Sequence, residues 1–362
     1  MNRASARARE LGRGHGRPEG RAGARRSAVF VALGVGLAAA LVAGVTVGAV
    51  RVPVAEVLRM AARALGFRGI AQPDATHLTI IAALRLPRVL AAALVGGSLA
   101  VAGVVMQGLF RNPMASPEIL GISAGGSLGA VAAITTGLAS ASALALPAAT
   151  AAGALLAAAL IYGIAGIRGG TSLLFIVIAG MAISSLFNGL VSGMLLFSKQ
   201  YEVNAYLFWT MGDFEGRTWQ HLALAAPVLL PGVAALALFS RELNLFTLGE
   251  EGARSLGMNV EAVKRVLLAL SALVTGAAIS VSGPVGFVGL LVPHLLRLLV
   301  GPDHRALVPA SALGGALFLL CCDLVGRTVA PPMQIRVGII TAVVGSPYLL
   351  WLVVRSQRRG GA

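Results

Sequence analysis

Long apolar runs, separated by short polar stretches, fill almost the whole chain. An apolar run of about 20 residues crosses the hydrocarbon core of a bilayer as a helix. Ten such runs are predicted, at residues 28–50, 84–109, 118–138, 143–167, 172–197, 221–240, 262–282, 284–300, 306–329 and 335–354. Apolar and polar residues do not alternate with a period of two, which disfavours a β-barrel. The pattern therefore predicts an all-α, polytopic membrane protein with about ten transmembrane helices.

One stretch between the predicted spans, residues 51–83, has a helical pattern of its own. Val54, Val57, Leu58 and Ala61 recur at the spacing of one helix face. A short amphipathic helix that lies on the membrane interface is predicted there.

The composition excludes an ordinary soluble domain. Hydrophobic residues make up 57% of the 362 residues and charged residues only 12%, and the mean hydropathy is +0.85. The formal net charge of +15 would suit a nucleic-acid binder, but arginines crowd the first 26 residues and the stretch 355–359 instead of covering a face. No nucleic-acid partner is therefore expected, and lipid is the expected surroundings.

The clustered arginines also predict the topology. Basic residues flank membrane spans on the cytoplasmic side, so both termini are predicted to be cytoplasmic, which requires an even number of crossings. The first apolar run exceeds the core of a signal peptide, about 7 to 15 residues, and is predicted to be a retained helix. The predicted organisation is a basic cytoplasmic tail at 1–27, a transmembrane domain at 28–354 with a polar cytoplasmic loop at 241–261, and a cytoplasmic tail at 355–362.

Small residues within the spans predict close helix packing. Glycine occurs 46 times and clusters with alanine and serine, for example at 96–98 and 121–127. Small side chains let helix backbones approach where no hydrophobic effect drives association. Arg-Val-Leu also occurs twice, at 88–90 and 265–267, on spans that would run in opposite directions. This weak echo suggests an inverted repeat, an arrangement common in transporters.

Chemistry that would make this chain an enzyme is hard to find. The phosphate-binding pattern of ATPases is absent, and the only lysines are Lys199 and Lys264. The histidines are scattered, so no metal site and no cofactor are predicted. Residues 121–125 match the Gly-x-Ser-x-Gly pattern of a hydrolase elbow, with Ser123 as nucleophile and His294 as a conceivable base, but they open an apolar helix instead of following a strand.

A series of ordered motifs is more specific than any one of these patterns. They include Arg-Leu-Pro-Arg at 85–88, Arg-Asn-Pro-Met-Ala-Ser-Pro at 111–117, Leu-Gly-Glu-Glu-Gly-Ala-Arg-Ser-Leu-Gly at 248–257, Gly-Pro-Val-Gly-Phe-Val-Gly-Leu at 283–290, Val-Pro-His at 292–294, Gly-Pro-Asp-His-Arg at 301–305 and Val-Gly-Ile at 337–339. In that order, the chain from about 28 to 354 resembles the FecCD-type membrane subunit of ABC importers, the permease family for iron-siderophores, haem and vitamin B12.

The resemblance implies a function and partners that the composition does not. Such permeases are homodimers of ten-span subunits in the bacterial inner membrane. They work with two ATP-binding cassette subunits on the cytoplasmic face and an extracytoplasmic substrate-binding protein. The chain is then no enzyme itself, and it admits a siderophore, haem or cobalamin by alternating access. The alternative is a secondary transporter driven by an ion gradient, for which Asp323 is the main acidic residue predicted inside a span.

The resemblance also carries over a docking site on the outer face. The matching positions are Arg85, Arg88 and Arg327, which would take acidic residues of the binding protein. Another interpretation is structural: the first two arginines extend to the interface from a helix end, and Arg327 pairs with Asp323 one turn earlier.

The polar loop resembles the segment through which ATPase subunits drive the permease. Its predicted coupling residues are Leu248, Gly249, Glu250, Glu251, Ala253, Arg254, Leu256 and Gly257. The charged residues would supply a face, and Gly257 a turn or a helix C-cap. An ordinary amphipathic connection is the alternative.

The fifth span, 172–197, corresponds to the family's pathway-lining helix. Ser184 and Asn188, one turn apart, place polar groups on it, and hydrogen bonds between helices explain them almost as well. Thr171 and Ser172 are the gate candidates. One departure from the family pattern is Arg336, where proline is common; contact with cargo, contact with the binding protein, or extension to the interface would each explain it.

Overall fold

The structure is a computed structural model that describes residues 18–48, 50–67, 71–72, 74–166 and 173–360. These residues form helices and loops, with no strand among them. The helices are α1 Pro18–Thr46, α2 Val54–Ala64, α3 Ala75–Leu109, α4 Ile122–Thr135, α5 Leu138–Ala141, α6 Ala145–Gly166, α7 Leu173–Leu196, α8 Gln200–Thr210, α9 Trp219–Leu238, α10 Ser240–Phe246, α11 Glu250–Ser255, α12 Val260–Ser282, α13 Val288–Val300, α14 His304–Thr328 and α15 Val337–Gly360. The all-α prediction is confirmed.

Each predicted span coincides with a helix of this series. Among the described residues, seven helices are long and apolar enough to cross a membrane, and three shorter apolar helices, α4, α13 and the first part of α15, match the remaining predictions. The amphipathic helix predicted within 51–83 is α2. The largest difference at an end is that α1 begins already at Pro18, inside the basic stretch assigned to the tail.

The two shorter apolar helices α4 and α13 follow segments without α-helix, 110–121 and 283–287; the first of these contains a short 3-10 helix at Pro117–Leu120. The start of α13 lies against the last third of α3, as shown by the carbonyl oxygen of Gly289, which occupies the space that a Cβ at Gly103 would need. Helix α13 thus covers only part of the depth that a full span covers. Irregular backbone at that depth is tolerated only where protein buries it.

In the first turn of α13, a side chain from another helix replaces a missing backbone hydrogen bond. Pro293 lies inside the helix and has no N–H, so the carbonyl of Gly289 lacks its usual donor. The buried amide of Gln107 on α3 donates to that carbonyl (3.4 Å) and to the carbonyl of Leu290 (3.1 Å). The apolar interior therefore holds one fewer unsatisfied backbone group.

Glycines set the closest helix contacts, as the sequence predicts. A Cβ at Gly96 on α3 would collide with the carbonyl oxygen of Gly315 on α14, and a Cβ at Gly315 would collide with that of Gly96. Helices α4 and α6 meet in the same way at Gly125 and Gly153. These pairs form the interior of the bundle.

The bundle has two ends, which we name by the chain termini. At the terminus end, where α1 begins and α15 ends, Arg26 Nε donates to the carbonyl of Val300 (2.9 Å) and caps α13. At the opposite end, called the far end, α1 finishes beside the start of α3, and Trp219 of α9 donates to the carbonyl of Ala82 (2.8 Å). Ala82 lies in a π-helical segment, Ile80–Arg85, within α3.

Candidate functional sites at the two ends of the bundle

Arg85 closes the far end of α1. Its guanidinium donates to the carbonyls of Val45 and Thr46, both at 2.8 Å, and to that of Val50. These carbonyls belong to the end of α1 and the loop after it. The last carbonyls of a helix have no backbone N–H of the same helix to bond to. Arg85 is only 7% exposed. The side chain predicted to dock a partner thus holds two parts of the chain together.

Arg88 and Arg327 share one buried carboxylate. Asp323 is fully buried, and it accepts from Arg88 Nε at 2.9 Å and lies 3.1 Å from Arg327 Nε. Arg88 also donates to Gln334 (2.7 Å), and Arg327 donates to the carbonyl of Gly44 (3.1 Å). The pairing of Arg327 with Asp323, which the sequence offered as a structural interpretation, is present. Docking by these arginines stays a prediction.

At the far end, the carboxylate of Asp213 holds Arg336, the arginine that stands where the family commonly has proline. Asp213 lies in the loop between α8 and α9, and its backbone N–H donates to the carbonyl of Ser282 at the end of α12 (2.7 Å). Its carboxylate accepts from Arg336 at 2.6 Å, and Arg336 also stacks over the ring of Phe208. Arg336 therefore joins the start of α15 to this loop.

A crevice of about 640 Å³ opens at the far end. Five arginines line it: Arg51, Arg85, Arg88, Arg217 and Arg327. No described aspartate or glutamate lines it, because Asp323 lies behind the arginines. The crevice wall is therefore strongly positive.

At the terminus end, the predicted coupling segment is pinned to α12 by a buried lysine. Lys264 is 2% exposed, and its Nζ lies 3.2 Å from Glu250 and 3.1 Å from Glu261. Arg254 lies 3.7 Å from Glu250 and 3.5 Å from Glu261. Two of the predicted coupling residues, Glu250 and Arg254, thus belong to a cluster of four charged side chains built on the buried Lys264.

Other residues of the coupling segment point away from the bundle and are exposed. Leu248 and Leu256 are 63% and 61% exposed, and Glu251 between them is exposed as well. Ala253 is buried and faces the bundle. Gly257 has φ +83° and its N–H bonds to the carbonyl of Arg254, so it ends α11 as predicted.

Gly249 opens α11 with φ +89°, a conformation that a side chain rarely adopts. A Cβ there would also lie 3.4 Å from the guanidinium of Arg111, which belongs to the loop after α3. Gly249 thus lets the coupling segment lie close to that loop.

A polar junction next to the coupling segment joins α10 to α14. Asn244 donates to Asp303 (2.8 Å), and its amide oxygen accepts from the backbone N–H of His304 (2.9 Å). The hydrogen bond from Asn244 is the main reason that the pKa of the Asp303 carboxyl is lowered. The terminus end is thus braced on both sides of the coupling segment.

Of the two predicted pathway residues on α7, Asn188 lies on an uncovered helix face, whereas Ser184 is half-buried against Gly121. Asn188 of α7 is exposed, as are Met181 and Ser185 on the same side of the helix. Ser184 donates to the carbonyl of Gly180 (2.7 Å), so its hydroxyl is used within the helix. The two gate candidates, Thr171 and Ser172, lie outside the described residues.

The hydrolase alternative finds no support in the geometry. The hydroxyl of Ser123 is buried without a hydrogen-bond partner, so no described base is in contact with it. His294 packs edge-on against Tyr348 instead, with ring centres 6.0 Å apart.

The chain matches a known family over nearly its whole length. Residues 36–355 fit the model of the FecCD transport family. The chain belongs to this family. A cobalamin import system permease protein of Halobacterium salinarum is 45% identical over 77% of this chain and 74% of its own length. A hemin transport system permease protein of Yersinia pestis is 41% identical over 76% of this chain and 83% of its own.

A solved structure agrees with these relatives. It is described as an inward-facing conformation of a metal-chelate type ABC transporter, and it covers 91% of this chain and 99% of its own with a TM-score of 0.79 and 31% identity. The chain is therefore the permease component of an ABC importer, a multi-pass membrane protein and not a catalytic subunit. The alternative of an ion-driven secondary transporter is not supported.

Lys264, Asp213 and Arg217 were not singled out as functional residues from the sequence. For Lys264 a signal was available: it is one of only two lysines and lies within the predicted span 262–282. A charge in such a place should have a partner. Asp213 and Arg217 lie in a short loop without any motif, and only the fold shows what surrounds them.

Proposed function

We propose that this FecCD permease imports a large metal chelate or corrinoid by alternating access, driven by ATPase subunits at the terminus end and supplied by a binding protein at the far end. The terminus end would then face the cytoplasm, as the basic tails predict. The match of residues 36–355 to the FecCD family carries the proposal. Ferric siderophore or haem is the first expectation for the cargo and cobalamin the second.

The exposed face of the coupling segment supports the position of the ATPase. Two large apolar side chains, Leu248 and Leu256, are exposed on either side of Glu251. A patch of this kind on an otherwise polar loop fits a protein partner. We expect Leu256→Asp to abolish association with the ATPase subunit, whereas Glu250 would act by holding the segment in place.

The uncovered face of α7 supports a homodimer with the pathway between its copies. Asn188 is exposed there, and in lipid an amide without a partner is costly. A Cβ at Gly189 or Gly193 would meet no atom within 4 Å, so another backbone could approach this side closely. In a dimer this face would meet the partner copy or line a wet channel.

Transport in proteoliposomes tests the proposal. The permease is reconstituted with its ATPase subunit and binding protein, and uptake of ferric citrate, haemin and cyanocobalamin is measured separately. We expect uptake of one probe that requires ATP and the binding protein. Uptake driven by an ion gradient without nucleotide would overturn the mechanism, and failure of all three probes with active ATPase would overturn the cargo class.

A further inference from the structure

The crevice at the far end contains arginines in two different chemical situations. Arg85, Arg88 and Arg327 donate to carbonyls or carboxylates within the chain and are at most 9% exposed. Their charges contribute to the potential of the crevice, but much of their hydrogen-bonding capacity is already used. Substitution of any of them would also break contacts between helices.

Arg217 is in the opposite situation. It lines the same crevice from the loop before α9. Its Nε is buried without a hydrogen-bond partner, and its guanidinium forms no ion pair with a described residue. Burial lowers its pKa; the charge of Asp213 opposes this effect and that of Arg336 adds to it. Part of the cost of burying this cation is therefore not offset within the chain.

Arg51 adds a second unused guanidinium. It follows α1, is exposed, and lines the crevice without a hydrogen bond or an ion pair to a described residue. Arg51 and Arg217 come from separate loops, so neither helps to hold two helices together. A carboxylate that entered the crevice would find free donors from both and the positive potential of the three bonded arginines.

We infer that Arg217, assisted by Arg51, is the hydrogen-bond donor that takes an acidic side chain of the protein docking at the far end. This inference rests on the proposed function, because it deepens the docking site and commits to a protein carboxylate as the occupant. The bonded arginines form the wall and supply potential, and Arg217 makes the direct contact.

A peptide probe tests this role without the ATPase or the binding protein. Labelled hexaglutamate is titrated against the full-length permease in nanodiscs, and binding is followed by fluorescence anisotropy at low salt. Arg217→Gln should weaken binding roughly tenfold, since a charged hydrogen bond is lost, and Arg51→Gln should weaken it less. Arg217→Lys should restore part of the loss.

The matched control is Arg59→Gln. Arg59 is also a far-end arginine, but it pairs with Glu56 at 2.6 Å on α2 and does not line the crevice. Equal affinities of the Arg217→Gln and Arg59→Gln variants would overturn the inference. Equal binding of hexaglutamine would do the same, and so would displacement of the peptide by free glutamate at concentrations as low as hexaglutamate itself requires, which would indicate a small-molecule site.

The outcome is separable from that of the transport experiment. Peptide binding that depends on Arg217 stands even if uptake turns out to use another energy source. ATP-dependent uptake stands even if Arg217→Gln leaves peptide binding unchanged. Thermal unfolding of each variant is measured beside binding, and Arg217→Lys carries the test if Arg217→Gln fails to fold.

Discussion

Asp323 is the residue on which the far end depends most. It is fully buried and holds two arginines from different helices, Arg88 at 2.8 Å and Arg327 at 3.1 Å. Removing one member of a buried charge network leaves the others uncompensated, at a cost of about 3–5 kcal/mol. The net stabilisation from this charge network is small, but loss of Asp323 would leave two buried guanidinium groups without a counter-charge.

We predict that Asp323→Asn strongly lowers the thermal unfolding midpoint in detergent, because two buried guanidinium groups lose their counter-charge. The control is Glu215→Gln, which removes an acid that is 51% exposed and 3.8 Å from Arg336. Solvent-exposed ion pairs contribute little to the free energy of unfolding. If the two variants unfolded at the same temperature, the buried network would not have the role given to it here.

Gln107 gives a second test at this scale. We predict that Gln107→Leu destabilises the permease by about 1–3 kcal/mol, because the carbonyl of Gly289 would lose its donor in an apolar interior. Differential scanning fluorimetry measures the shift. Gln200→Leu is the control, since Gln200 is exposed and its side chain bonds, among the described residues, only to Asn204 (3.2 Å); a similar shift in both variants would contradict the argument.

At the residue scale, the sequence predicted that Arg85, Arg88 and Arg327 lie at the end opposite the chain termini, where the structure has them. It did not predict most of their hydrogen-bond acceptors. The acceptors of Arg85 are backbone carbonyls about 40 positions earlier in the chain, and no side-chain pattern records them. The pairing of Arg327 with Asp323 could be predicted because both lie on one helix, one turn apart.

At the scale of elements, Lys264 joins the coupling segment to a single helix that runs to the far end. We predict that Lys264→Met leaves the permease folded but reduces the stimulation of ATP hydrolysis by loaded binding protein several-fold, because Glu250 loses its buried anchor. Arg265→Met is the control, since Arg265 is exposed and its side chain bonds, within the described part of the chain, only to the carbonyl of Glu261 (3.3 Å).

Assembly with the ATPase is measured beside hydrolysis for both lysine and arginine variants. Normal stimulation in Lys264→Met would show that α12 does not carry the movement of the coupling segment. Loss of assembly in that variant, without loss in Arg265→Met, would assign the lysine to binding instead of coupling.

Element positions followed from the sequence far better than element lengths. All ten apolar runs contain helices, yet the run 284–300 becomes helical only at Val288. Gly283 has φ +70° and Pro284 has no N–H to continue a helix, but the apolar residues around them made the segment look like part of a span. Hydropathy indicates that a segment is buried, but it does not indicate whether the segment is helical. A buried non-helical segment is as apolar as a buried helix.

For the whole molecule, the uncovered face of α7 predicts its oligomeric state. We expect two copies per particle by native mass spectrometry from detergent. Gly189→Trp should shift the particle towards single copies, because the indole would fill the space that a second backbone needs. Gly34→Trp, on the exposed side of α1 with no atom near its Cβ, is the control. Dimers that persist unchanged in the α7 variant would place the interface elsewhere.

The reciprocal glycine contact between α3 and α14 limits how such a permease can move. The carbonyl oxygen of each of Gly96 and Gly315 occupies the place that a Cβ on the other would need, and Asp323 on α14 pairs with Arg88 on α3 near the far end. Neighbouring positions on the two helices carry side chains, such as Ala100 and Leu319, for which this close contact leaves no room, so we expect sliding of one helix past the other to be opposed. We therefore expect the pair to move as one rigid body and the hinges that open the pathway to lie in less tightly packed helices nearer the periphery.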